Sequence, residues 1–191
     1  MTATDQTTPA AYRGAAAGAP PDVLGGMTAA DIDAAGDEVV VFLIGMRVNR
    51  WRAVRSWTWV ARQMPAMLRS LSRQPDSPLL GFRTWVSGRN LMTLQYWRSA
   101  EELGRFARDQ DHPHAHAWRE FNRRLAANAD VGIWHETYAV DAEAVETLYG
   151  NMPAFGLADA LGTTGAGARR RTGAVARVHG AAGAHELGTT A

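Results

Sequence analysis

The sequence predicts an α+β fold built on one four-stranded antiparallel sheet, and three observations predict it. Four short runs rich in β-branched and aromatic residues, at 39–46, 79–86, 91–97 and 131–140, have strand length and no internal proline. Segments with apolar residues recurring at spacings of 3 and 4 lie between the first and second runs and between the third and fourth. The second and third runs are joined by Ser87-Gly-Arg-Asn90, whose glycine and asparagine tolerate the positive φ of a tight hairpin.

Residues 1–37 are rich in Ala, Gly, Thr, Pro and Asp without a period of 2 or 3.6, the composition of a mobile arm. The first strand follows as Val39-Val-Val-Phe-Leu-Ile-Gly-Met46, apolar on both faces. A helix is expected from Trp51 to about Arg73, carried by Trp57, Val60, Ala61, Met64, Met67, Leu68 and Leu71. Pro65 lacks an amide donor and clashes with the preceding turn, so a kink or restart is expected near Met64. Gln74-Pro-Asp-Ser-Pro78 ends this helix. Ser99-Ala-Glu-Glu102 spells a capping box, which starts a short helix running to about Arg108. Another begins at Pro113 and continues through Ala127, with Trp118, Phe121 and Leu125 on one stripe.

The order strand, helix, strand, strand, helix, strand is that of a ferredoxin-like split βαβ fold. Its domain spans 38–160, and the unpatterned Gly, Ala, Thr and Arg residues of 161–191 read as a second disordered tail. Arg169-Arg-Arg171 within that tail reads as a solvated charge run.

Composition excludes several classes of function. The 191 residues carry 20 basic and 19 acidic side chains for a net charge of +1, so the overall charge calls for neither nucleic acid nor an acidic membrane surface. Absence of cysteine excludes disulfides, thiolate metal sites and cysteine nucleophiles. No apolar run reaches the ~18 residues of a membrane span, and no secretory leader is visible, so a soluble cytoplasmic protein is expected. There is no P-loop, dinucleotide fingerprint or nucleophile elbow, which disfavours nucleotide and flavin dependence. Seven tryptophans, all between Trp51 and Trp134, point to a large aromatic area buried mid-chain.

Alternation along each strand predicts two contrasting sheet faces. One, expected to pack on helices, holds Val40, Phe42, Ile44 and Met46 with Leu80, Phe82, Thr84 and Val86, then Met92, Leu94 and Tyr96, and finally Trp134, Glu136 and Tyr138. The other mixes aromatic and polar groups, as small-molecule sites do. It holds Leu43, Gly45 and Arg47 with Leu79, Gly81, Arg83 and Trp85, then Leu91, Thr93, Gln95 and Trp97, and Ile133, His135 and Thr137.

Four stretches carry a family resemblance: Tyr96-Trp-Arg-Ser99, His112 through Trp118 with Phe121-Asn122, Val131-Gly-Ile-Trp-His-Glu-Thr-Tyr138, and Tyr149-Gly-Asn-Met-Pro-Ala-Phe-Gly-Leu157. They resemble a family of monooxygenase-like proteins named after an enzyme of the fungal fumagillin pathway, within the dimeric α/β-barrel superfamily. That resemblance implies a homodimer whose two sheets close a barrel, with a pocket in each protomer between sheet and helices. It also implies relatives as different as cofactor-independent oxygenases, haem-degrading enzymes and aldoxime dehydratases, so fold alone does not fix the chemistry.

The expected activity is oxidation by O2 of an apolar aromatic, polyketide- or terpene-like metabolite, without flavin and without any cofactor. In this reading His135 is the base, because an imidazole takes up a proton near neutral pH. Arg83 and Gln95 stabilise the substrate anion, while Trp85, Trp97, Arg47, Thr137 and Trp118 line the substrate site. The structural alternatives are a hydrogen-bonded interior histidine, interface tryptophans and rim salt bridges. A haem enzyme with His116, His112 or His135 on iron is the second reading, and a non-catalytic ligand-binding or dimerisation module the third. His112 and His116 share a helical face, but a divalent metal site needs further ligands, so no metal is expected.

Overall fold

The computed structural model describes residues 20–108, 119–123 and 128–165, which form two compact units. One runs from Val40 to Ala139, and the other takes the chain up to Val39 and from Val140 onward.

The first unit is the predicted α+β sheet. Strands β2 (Glu38–Val48), β3 (Leu79–Ser87), β4 (Asn90–Trp97) and β5 (Val131–Asp141) form one sheet in the order β3-β4-β2-β5. Strand β4 therefore lies antiparallel between β2 and β3, the split arrangement that the element order predicts. The β3–β4 hairpin turns on Gly88 at φ +54°, the position where a II′ turn needs glycine.

Helix α1 (Val54–Leu71) lays its apolar stripe on this sheet. Leu68 and Leu71 are buried with Val40, Leu79 and Trp97, while Trp57, Val60 and Ala61 pack around Met46, Val48 and Val131. Burying a leucine side chain stabilises the fold by about 1.5–3 kcal/mol, so this stripe is the principal glue of the unit. Pro65 lies inside α1, which continues through it without restarting. Packing of the residues on both sides of the proline holds the helix together where one backbone bond is missing. Helix α2 (Ala100–Arg108) is capped as its sequence predicts, Glu102 N donating to Ser99 Oγ at 3.1 Å. Residues 119–123 are helical, as expected; the rest of the helix predicted from Pro113 lies outside the described residues.

The second unit departs from expectation. Residues 24–35, read from composition as part of a mobile arm, form strand β1 (Leu24–Ala30) and a 3-10 turn with Ile32 buried. Strand β1 pairs antiparallel with β6 (Tyr149–Met152) on one side and β7 (Thr163–Gly165) on the other. Gly26 bends β1 at φ +89° and donates its N–H to Asn151 Oδ1 at 2.9 Å; Asn151 itself adopts φ +50°. Ladder hydrogen bonds on both edges order this segment, a non-local cause that leaves no local pattern. Helix α3 (Leu157–Leu161) buries Leu157 and Ala158, and burial pushes the Tyr149 phenol up.

Candidate functional site

The faces of the four-stranded sheet are assigned by strand pairing, since directly opposed residues of antiparallel strands share a face. Phe42 pairs with Gln95, Ile44 with Thr93 and Met46 with Leu91; across the other edge of β4, Phe82 pairs with Gln95 and Thr84 with Thr93. The face under α1 therefore carries Val40, Phe42, Ile44 and Met46 together with Leu91, Thr93, Gln95 and Trp97. Strand β5 adds Val131, Ile133 and His135, the last with its ring centroid 5.7 Å from that of Phe42.

This corrects the predicted division. The sides of β2 and of β3 from Phe82 onward are as expected, but β4 and β5 are turned over: Met92, Leu94, Tyr96, Trp134, Glu136 and Tyr138 belong to the opposite, open face. Period-2 alternation says which residues of one strand share a side but not which side faces the helix. An irregularity between Leu79 and Gly81 further shifts the start of β3.

The sequence-predicted site residues are consequently split. Gln95, Trp97, His135 and, by alternation, Thr137 stand on the helix-facing side, whereas Arg47, Arg83 and Trp85 stand on the open side. Trp97 is only 1% exposed and packs its ring 5.2 Å from Phe106, which makes it core. His135 and Thr137 are exposed on β5, an edge strand. Trp118, His112 and His116 lie outside the described residues. Among the described residues no cluster of histidine and carboxylate groups is placed to hold a metal.

What the helix-facing side does assemble is a row across the sheet: Phe82, Gln95, Phe42 and His135, one from each strand. Gln95 is fully buried between the rings of Phe82 and Phe42. Trp97 Nε1, which can only donate, gives its proton to Gln95 Oε1 at 3.0 Å and so fixes which way the amide points. The Gln95 amino group is thereby turned toward α1, where Met64 Sδ lies 3.8 Å away. A thioether is a weak acceptor, so this amino group keeps donor capacity. Beside the row, the hydroxyls of Thr84 and Thr93 satisfy each other at 3.1 Å. Sequence reasoning passed over Met64, Phe42 and Phe82 as parts of the site. The signal that finds them is the pairing register, not residue type.

On the open side, the indole of Trp134 lies over Gly45 so closely that a Cβ there would stand 2.6 Å from its Nε1. Tyr138 donates its hydroxyl to Glu136 Oε2 at 2.8 Å, and that bond raises the phenol above its ordinary range. Arg47 Nη1 donates to Asn49 Oδ1 at 2.7 Å. This face carries aromatic area and its own polar pairs.

A family model described as monooxygenase af470-like matches residues 39–157. Two solved structures share the fold more broadly. An aldoxime dehydratase is 26% identical with a TM-score of 0.52, over 86% of this chain and 43% of that one. Another, in complex with butyraldoxime, is 24% identical with a TM-score of 0.51, over 76% and 39%. The chain thus spans about two fifths of the length of the aldoxime dehydratases it matches. A mutant of SnoaB, a cofactor-independent oxygenase from Streptomyces nogalater, is 20% identical with a TM-score of 0.35, over 54% of this chain and 92% of that one. No curated protein matches the chain.

Proposed function

Because the chain belongs to the monooxygenase af470-like family, we propose that it is a cytoplasmic oxidoreductase that uses O2 to oxidise an apolar small molecule on the helix-facing side of the sheet. The substrate class is a flat aromatic, polyketide- or terpene-like compound with an acidic C–H or O–H group. The observation that carries this reading is the buried Gln95 amide, whose oxygen is held by Trp97 and whose amino group is left to donate.

Gln95 and His135 flank Phe42, so an apolar body resting on Phe42 and Phe82 brings its acidic edge between a fixed donor and an imidazole. His135 takes the substrate proton, and the Gln95 amino group donates to the oxygen that carries the resulting negative charge. The anion passes one electron to O2, and the two radicals combine to a peroxide. Loss of the second C–H proton and cleavage of the O–O bond release water and leave a carbonyl, so one O2 is consumed per product. The apolar row excludes water from the peroxide. A second copy of the chain against the open face completes the barrel that the family resemblance implies.

Oxygen uptake on an anthrone, a flat apolar C–H acid, tests this. His135→Gln should fold normally and lower turnover roughly 10²–10⁴-fold. Full activity per folded molecule in that variant removes His135 from the mechanism. No uptake by the native protein favours the non-catalytic module, and a Soret band growing one-to-one with added haem favours ligation by His112 or His116.

A further inference from the structure

One end of the four-stranded unit concentrates charge that the overall balance hides. Where β2 runs into α1 and the β3–β4 hairpin turns, Arg47, Arg50, Arg52, Arg55 and Arg89 are all exposed. Among the described residues the carboxylate that pairs with one of these arginines is Asp130, which lies 3.1 Å from Arg50 and also accepts from Ser56. Arg47 bonds the neutral Asn49, and Arg89 donates to the backbone oxygens of Asn49 and Val48. The end is also tied together by backbone bonds, Val48 N to Arg89 O and Asn49 N to Asp130 O, both at 2.8 Å. Arg52 and Arg55 flank the start of α1, a helix without an acidic residue in its first turn, so their charge works against the helix rather than for it.

Large apolar side chains are exposed at the same end: Trp51 at 48%, Val54 at 51% and Val86 at 74%. We propose that this end of the sheet is a peripheral docking surface for an anionic lipid bilayer, with the guanidiniums on lipid phosphates and Trp51, Val54 and Val86 in the interfacial layer. Guanidinium groups pair with phosphate oxygens in bidentate fashion, and tryptophan favours the depth of the headgroups. Such binding needs no spanning segment, and no described helix is long and apolar enough to cross a membrane. Nucleic acid fits the arginines but not the rest. Arg89 lies over the Trp51 ring at 5.9 Å and Trp57 meets it edge-on at 6.0 Å, so that ring is not a free stacking platform for bases. Exposed valines give a polyanion nothing to bind.

Co-sedimentation of the full chain with phosphatidylcholine vesicles, with and without phosphatidylglycerol, tests the proposal. The protein should sediment with the anionic vesicles alone and be released as salt is raised. Each arginine near the surface contributes roughly fivefold, so Arg52→Gln with Arg55→Gln should weaken binding about 25-fold. These two side chains have no partner among the described residues and oppose the dipole of α1, so the double substitution should not lower the temperature of thermal unfolding. Val86→Ser should weaken binding while leaving its salt dependence as it was. Failure to sediment with anionic vesicles, or binding indifferent to the double substitution, overturns the proposal. So does tighter binding to a single-stranded oligonucleotide that Val86→Ser leaves intact, which assigns the arginines to a polyanion.

Discussion

The two faces of the four-stranded sheet have similar aromatic content and opposite designs. Under α1, apolar side chains interdigitate with the helix and enclose one oriented amide, Gln95. On the other side, the Trp134 indole lies so close to β2 that a Cβ at position 45 would stand 2.6 Å from its Nε1. Aromatic residues therefore do not distinguish the two faces. The buried amide with an unspent donor does, and the proposed site rests on it, because burying an amide is tolerated only where its hydrogen bonds are provided for.

The contrast can be broken from either side. The largest stability effect is expected on the helix-facing side, where Leu68 is 1% exposed: Leu68→Ala should cost about 2–5 kcal/mol in chemical denaturation. On the open side, Gly45→Ala forces the Trp134 indole off β2 and should cost about 1–3 kcal/mol, with a change in tryptophan fluorescence. If Trp134→Ala restores stability in the Gly45→Ala background, the close approach is confirmed as the cause. The smallest effect concerns Glu136, whose hydrogen bond raises the Tyr138 phenol. A raised phenol pKa favours the protonated ring in the folded state. Its contribution is therefore present below the unfolded value and lost as pH rises through the folded one. Glu136→Gln should let one tyrosine ionise at lower pH in an ultraviolet titration.

Much of this fold is legible in the sequence because its determinants are local. The period of α1, the Ser99 cap, the Gly88 turn and the apolar run of β2 each state their structure within a few residues. Strand β1 is not legible, because its order comes from partners more than a hundred residues away, such as Thr147, whose Oγ1 accepts from Ala30 N at 2.8 Å. The proposed site was half legible for a related reason. His135 and Gln95 are recognisable by chemistry, but their shared face with Phe42 is set by register, and Arg83 and Trp85 join them only if β4 and β5 are read on the wrong side. Net charge misled in the same way, since +1 for the whole chain conceals five arginines at one end.

The most direct test of the site assignment compares one substitution on each face with the same substrate. Gln95→Leu keeps the volume, removes the donor and leaves the Trp97 indole N–H without its acceptor, so stability falls as well and turnover is counted per folded molecule; it should fall roughly 10²–10³-fold, the weight of one oriented hydrogen-bond donor. Trp85→Leu, on the open face, should leave it within a few-fold of the native protein. Full activity in Gln95→Leu together with a collapse in Trp85→Leu would place the chemistry on the open face and contradict the account.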